Sequence, residues 1–283
     1  MFTGAHFLRR KQHGLAGVAI LVIAAALIST MVLGPIATNA LRSAKEVSFT
    51  DAVYIADVSD KVRAFYESNL ASFDNAVAPT LGEAALIKAA NIAPRANLRV
   101  VPSNRLAGPV VQYRRIAIWL APAGVADTSA FNADTGVFTP APGVVATVVD
   151  GQAIQGLAYD RAFKRMQYLA SLLQRRFQTK FQSDPLRTVT VNHFRPVSGT
   201  CATSLDDIPC IDVMTPFATA ANWTTLLGMS TAEINATQGP WNTPIQISNL
   251  AQSNTAAPPY TMALALATPW GTSINVSAVQ PIN

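Results

Sequence analysis

The chain opens on a charge-free run and then changes its hydrophobic period twice. From Gly14 to Leu41, 28 consecutive positions carry no charge. About 20 helical residues cross the hydrocarbon of a bilayer, so the run predicts a membrane-spanning helix over 15–41. The apolar core of a cleaved export signal is only ~7–15 residues long, although "ATNA" at 37–40 imitates a small-x-small cleavage site. Helical patterning continues over 39–70, which contains no proline or glycine. There Val47, Tyr54, Val58, Val62, Phe65 and Leu70 recur at helical spacing, with Asp57, Asp60, Lys61 and Glu67 on other faces. Residues 15–70 thus read as one long helix with a transmembrane half (15–41) and an amphipathic half (42–70). Such a half needs a folded body to cover its apolar stripe.

Beyond residue 70 the period shortens. "VVQYRRIAIWLAP" (110–122) is rich in β-branched and aromatic residues and predicts a strand. "GVVATVVDGQAIQG" (143–156) predicts two short strands about a turn at Asp150-Gly151, with a polar loop between these stretches. The rest of 71–160 reads as strands and loops. A second helix is predicted over 157–182, with Phe163, Met166, Ala170, Leu173, Phe177 and Phe181 on one side. Arg161, Lys164, Arg165, Arg175, Arg176 and Lys180 lie opposite, either a solvated face or a surface for an acidic partner. "RTVTVNHF" (187–194) alternates as a strand, and "STAEIN" (230–235) suits a short helix capped by Ser230 or Thr231 with Glu233 in its first turn.

The C-terminal part contains a weak repeat: "GPWNTPIQISNL" (239–250) echoes "TPWGTSINVSAV" (268–279). Each half has Pro-Trp, a small polar turn and an alternating strand. With "YTMALALAT" (260–268) between them, they predict three antiparallel strands. The fold class is therefore α+β: a long N-terminal helix packed on a body, 71–283, with antiparallel sheet.

Charge sets the orientation. Arg9, Arg10 and Lys11 precede the uncharged run without an acid among them, whereas Arg42 and Lys45 after it are mixed with Glu46 and Asp51. The positive-inside rule keeps the N-terminus in the cytoplasm and exports residues 42–283. Small residues (Gly17, Ala19, Ala24, Ala25, Ala26, Ser29, Gly34) permit close helix–helix approach, and Pro35 predicts a kink. A net charge of +5 without interleaved aromatics and bases does not describe a nucleic-acid surface.

Several of these features occur together in one known family. A basic leader ending in glycine ("RRKQHG", Gly14), a bulky apolar residue (Leu15), and an uncharged helix with a proline about twenty residues on resemble the N-terminus of type IV prepilins and secretion pseudopilins. The resemblance implies a leader over 1–14, cleavage after Gly14 by a membrane prepilin peptidase, and N-methylation of Leu15. "AKEVSFTDAVYIADVSDKVRAFYESNL" is similar to the constant region of shufflon-type minor pilins, the PilV class of conjugative type IVb thin pili, over roughly residues 9–70. The Pro-Trp turns before strands resemble the terminal sheet of pilins. Two positions depart from the family. Ala19 stands where a glutamate is usual at the fifth mature position, and Pro35 falls one residue early. Some tip-located minor pilins lack that glutamate, so the departure accords with a tip rather than a shaft.

The resemblance implies a minor pilin held in the inner membrane and then drawn into an extracellular pilus. Its partners would be other pilin subunits, with lipopolysaccharide or a recipient-cell glycan as a further partner. A type II secretion pseudopilin and a non-polymerising single-span inner-membrane protein with a periplasmic interaction domain are the alternatives.

Cysteine usage adds one expectation. Cys201 and Cys210 are the chain's two cysteines. In an exported body they are expected to form a short disulfide loop, with two free thiols in a loop as the alternative. The histidines His6, His13 and His193 do not cluster with them as a zinc site requires. Asp206-Asp207 suits a turn better than a calcium site. No nucleophile elbow, P-loop, zinc-protease helix or dinucleotide fingerprint occurs, so neither an enzyme nor a cofactor is expected.

Overall fold

The computed structural model describes residues 35–194, 211, 213–220, 223–249 and 258–280, with side chains from residue 49 onward. The uncharged run before Pro35, the cleavage pair Gly14 and Leu15, and the cysteine pair Cys201 and Cys210 lie outside the described residues. Among the described residues no helix is long and apolar enough to cross a membrane. The chain divides into two compact units, Met1–Tyr54 and Ile55–Asn283. In the first, the described residues belong to helix α1 (Pro35–Ser68), and the kink expected at Pro35 falls at the edge of the described residues.

In the second unit, the buried stripe of α1 is Ile55, Val58, Val62 and Tyr66. The steps of three and four persist, but the stripe is rotated slightly from the expected one. Tyr54 and Phe65 are only half-buried at its margin. Helix α2 (Leu70–Asp74) follows immediately and adds buried Phe73. The strand-and-loop reading of 71–160 missed helix α3 (Glu83–Ala89), which packs on strand β1 (Leu98–Pro102). Glu83 joins the two by accepting from Arg99 Nε at 2.8 Å and from the Val100 amide at 2.9 Å. Contacts so distant in sequence leave no local period to read.

Strands β2 (Leu106–Ala107) and β3 (Gln112–Tyr113) form a short ribbon. Strand β4 (Arg115–Leu120) lies within the expected 110–122 strand and is buried from Ile116 to Leu120. The polar loop after it contains a second ribbon, β5 (Ala130–Asn132) and β6 (Val137–Thr139). Strand β7 (Ala146–Asp150) completes a three-stranded antiparallel sheet in the order β1-β4-β7.

The hairpin expected at Asp150-Gly151 does not form. Asp150 ends β7 opposite Arg115 and is also the N-cap of helix α4 (Gly151–Ser183), its carboxylate accepting from the Gln152 amide at 2.9 Å. Asp-Gly serves a tight turn and a helix start equally well; tertiary packing decides here. A Cβ at Gly151 would collide with the Arg114 carbonyl and the Tyr66 hydroxyl, so the close approach requires glycine. Helix α4 consequently starts six residues before the expected 157. Its buried face is Ile154, Ala158, Ala162, Met166, Leu169, Leu173 and Phe177, with Phe163 and Phe181 at the margins.

The second sheet has the order β11-β10-β9-β8, with β8 (Thr215–Pro216), β9 (Gln246–Ser248), β10 (Thr261–Ala267) and β11 (Ser273–Val279). The three C-terminal strands pair antiparallel as the repeat implied. The alternation in β10 is one of size rather than polarity, because Met262, Ala263, Leu264, Ala265 and Leu266 are all buried. Helix α4 packs against β10 and β11 and against β3 and β4. The two repeat turns share one geometry. Gly239 N–H donates to Thr243 and Thr268 N–H to Thr272, at 2.7 and 2.8 Å. Asn242 and Gly271, each following the tryptophan, take φ of 56° and 85°, a conformation that Asn and Gly tolerate best. The tryptophans Trp241 and Trp270 meet edge to face with centroids 5.4 Å apart.

The segment 187–194 is not a strand. Arg187 has φ of 44°, and turns run on to Phe194. Side chains of the second sheet hold it in place of a ladder. Tyr260 Oη donates to the Thr190 carbonyl at 2.9 Å, and the His193 amide donates to Gln280 Oε1 at 3.1 Å.

Candidate functional site

A concavity lies on one flank of α4. Tyr168, Leu172, Arg175 and Thr179 follow one another at steps of four, three and four, so they share a stripe, joined by Arg176 and Lys180. The stripe runs beside the buried face and looks across a cleft of about 460 Å³. The facing wall is short helix α5 (Trp223–Leu226), Leu227, and Glu233 of helix α6 (Thr231–Asn235).

Each wall has an identifiable anchor. Trp223 is buried beneath α5. The carbonyl of Leu226, at the C-terminal end of α5, accepts from Arg176 Nη1 at 3.3 Å. A guanidinium at a helix C-terminus both fills an orphan acceptor and opposes the negative end of the dipole. Helix α6 begins with a reciprocal capping box: Ser230 Oγ accepts from the Glu233 amide at 3.3 Å, and Glu233 Oε2 accepts from the Ser230 amide at 2.8 Å. The other carboxylate oxygen accepts from Tyr168 Oη at 2.6 Å. Arg165 Nη1 donates to the Gln238 carbonyl at 2.9 Å, just outside the cleft.

The electrostatics follow from these bonds. The Tyr168 hydroxyl and then the Ser230 amide and hydroxyl hold the Glu233 carboxyl down from 4.5 to about 2. It is therefore a fixed negative charge and an acceptor at all ordinary pH. Tyr168 is pushed up, first by the same hydrogen bond. Arg175, Arg176 and Lys180 set three cations against that single carboxylate, leaving a local excess of positive charge. Leu172, Leu226 and Leu227 supply apolar wall between the charges, and Tyr168 is 45% exposed.

A second polar cluster sits in the interior. Asp74 and Arg114 are both fully buried, with Asp74 Oδ1 3.5 Å from Arg114 Nε. Tyr66 Oη donates to Asp74 Oδ2 and accepts from the Arg114 amide at 3.0 Å. Gln155 Nε2 also donates to Asp74 Oδ2, at 2.6 Å, and its carbonyl accepts from Trp241 Nε1 at 2.8 Å. The Arg114 guanidinium serves the carbonyls of Phe73, Ala76, Val77, Ala78 and Ser103. Burial drives the Asp74 carboxyl up and the Arg114 guanidinium down. This cluster has no opening to a ligand. It ties α1, α2, β4, α4 and the Trp241 turn together.

The basic residues of α4 thus divide. Arg175, Arg176 and Lys180 meet in the cleft, Arg165 pins the segment beyond it, and Arg161 and Lys164 are exposed. The residues that complete the cleft, Tyr168, Thr179, Leu226 and Leu227, carry no motif. Glu233 had one usable signal, its place three residues after Ser230 in a capping box. Among the described residues, no group of three or more His, Cys, Asp or Glu could hold a metal ion. His193 packs its ring 5.5 Å from Phe177. Comparison with protein-family models, with curated proteins and with solved structures found no match.

Proposed function

We propose that the chain is a minor subunit of a type IV pilus, of the conjugative type IVb kind, carried at the tip or surface of the filament. One observation supports this above the others. Helix α1 continues from the end of the uncharged run into a stripe, Ile55 to Tyr66, that an α+β body covers. Helical subunits that pass from membrane to fibre need that division: one half apolar toward lipid or neighbouring helices, the other committed to a folded body. Phe49 and Val53, one helical turn apart, are 72% and 55% exposed and would be covered by neighbouring helices. Residues 15–41 would lie first in the inner membrane and then in the filament core. The body would be exported and displayed without enzymatic activity, to meet lipopolysaccharide, a recipient-cell glycan or a partner subunit.

Mass spectrometry of the mature N-terminus tests the reading. A chain that begins at N-methylated Leu15 is expected, with Gly14 as the last residue removed. An intact Met1 in the membrane fraction would favour the non-polymerising anchor. The secretion pseudopilin shares the processing and is separated by loss of protein export, rather than of conjugation, when the gene is deleted.

A further inference from the structure

We infer that the cleft between α4 and the 223–235 segment binds a small acidic, hydroxyl-bearing molecule of the sugar-acid or sugar-phosphate class. The inference stands on the cleft alone and needs no part of the pilus reading.

The volume is the first argument. Small-molecule sites occupy roughly 300–1,000 Å³ and are mostly apolar with a few convergent polar groups. The cleft has about 460 Å³, room for a compact ring with its substituents. Leu172, Leu226, Leu227 and the exposed Tyr168 ring give such a ring apolar surface to lie on. The charges are the second argument. Arg175 and Lys180 lie five positions apart on α4, beyond Leu172 and with Thr179 between them. A guanidinium matches the two oxygens of a carboxylate or phosphate, while an ammonium adds a second charge from a different direction. Arg176 is anchored on the Leu226 carbonyl and adds field rather than a moving side chain.

Glu233 narrows the class. An anion without a donor would leave the acceptor oxygens of Glu233 unmatched. Its carboxylate is held ionised by Tyr168 and Ser230, and its geometry is fixed by the capping box. It can only accept, so the ligand must bring a donor to Glu233 as well as an oxyanion to Arg175 and Lys180. A polyol acid satisfies both requirements at once. A neutral sugar lacks the oxyanion, and inorganic phosphate, although its P–OH can donate, has no ring to lie on Leu172, Leu226 and Leu227.

The test uses the full-length chain and four probes: D-glucuronate, glucose 6-phosphate, glucose and inorganic phosphate. Binding is followed by isothermal titration and by the ring resonances of Tyr168. At least one of the two acidic sugars is expected to bind at least tenfold more tightly than glucose and than phosphate, and the pair distinguishes a carboxylate from a phosphate ligand. Arg175→Gln and Lys180→Gln are each expected to weaken that binding about tenfold. Arg165→Gln, outside the cleft, is expected to leave it within twofold. Added salt should weaken it, as for any partly exposed ion contact. Because Arg175 is exposed, its replacement leaves the packed walls intact, and an unchanged melting temperature verifies this. The inference is overturned if none of the probes binds at millimolar concentration, if glucose or phosphate binds as well as both acidic sugars, or if Arg175→Gln changes nothing.

Discussion

Two tyrosine–carboxylate pairs among the described residues stand in opposite surroundings. Tyr66 donates to Asp74 in the interior, and Tyr168 donates to Glu233 on the surface. Both carboxylates also accept from a second donor. Their protonation nevertheless shifts in opposite directions: Asp74 goes up and Glu233 down to about 2. Hydrogen bonds act the same way on both, so the difference is solvent. Asp74 has lost its hydration, which Arg114 and then Arg105 offset only in part, whereas Glu233 keeps water on one side. The interior pair organises the fold, and the surface pair shapes a site and remains available to a ligand.

The largest expected effect comes from removing the interior cation. Arg114→Met takes the nearest cation from buried Asp74, and five carbonyls lose their donor. Breaking a buried pair from one side costs about 3–5 kcal/mol. For a body of this size that is a fall in Tm of about 10 °C, read by calorimetry. The same change at Arg175 should not move Tm measurably, since exposed ion contacts contribute ~0–1 kcal/mol. If the two replacements cost alike, the contrast drawn here fails.

Removing the two hydroxyls gives the second comparison. Tyr66→Phe takes a donor from buried Asp74 and an acceptor from the Arg114 amide, and an orphaned buried group costs about 1–3 kcal/mol. Tyr168→Phe lets water replace the lost bond to Glu233. Denaturant midpoints should therefore separate the variants clearly, with the second close to wild type.

A smaller effect is expected at the far wall of the cleft. Ser230→Ala removes the cap of α6, which costs about 1 kcal/mol. The loss should appear as faster amide exchange confined to Thr231–Asn235. Equal acceleration in β10 would mean that α6 is part of the cooperative core.

Much of this architecture was legible along the chain because it is local. The stripe from Val58 to Val62, the alternating β10 and β11, the Pro-Trp turns and the Ser230–Glu233 cap all repeat within a few residues. What failed was decided at a distance. Asp150-Gly151 became a helix start because Tyr66 and Arg114 approach Gly151 from elsewhere in the fold. "RTVTVNHF" has the period of a strand, but the backbone turns at Arg187, and Tyr260 and Gln280 hold the segment by hydrogen bonds. The cleft was half-visible. Its bases stand out on α4, whereas Tyr168 and Glu233 are 65 positions apart, and no local pattern announces that they meet.

The smallest effect is a titration, and it discriminates most finely between the two pairs. A carboxyl lowered by folding stabilises above its ordinary value and loses that contribution as pH falls through its folded value. For Glu233 the window runs from 4.5 down to about 2. Asp74, pushed up by burial, has the opposite sign: acid relieves a buried charge rather than removing a favourable one. Acidification through this window should therefore loosen α6 before it disturbs the interior. The Glu233 side-chain carbon, followed by NMR, should titrate near 2 in the wild type and move toward 4.5 in Tyr168→Phe, because the largest cause of the shift has been removed. A wild-type midpoint at 4.5 would mean that the Tyr168 bond does not form in solution, and the cleft would lose the fixed acceptor on which its selectivity depends.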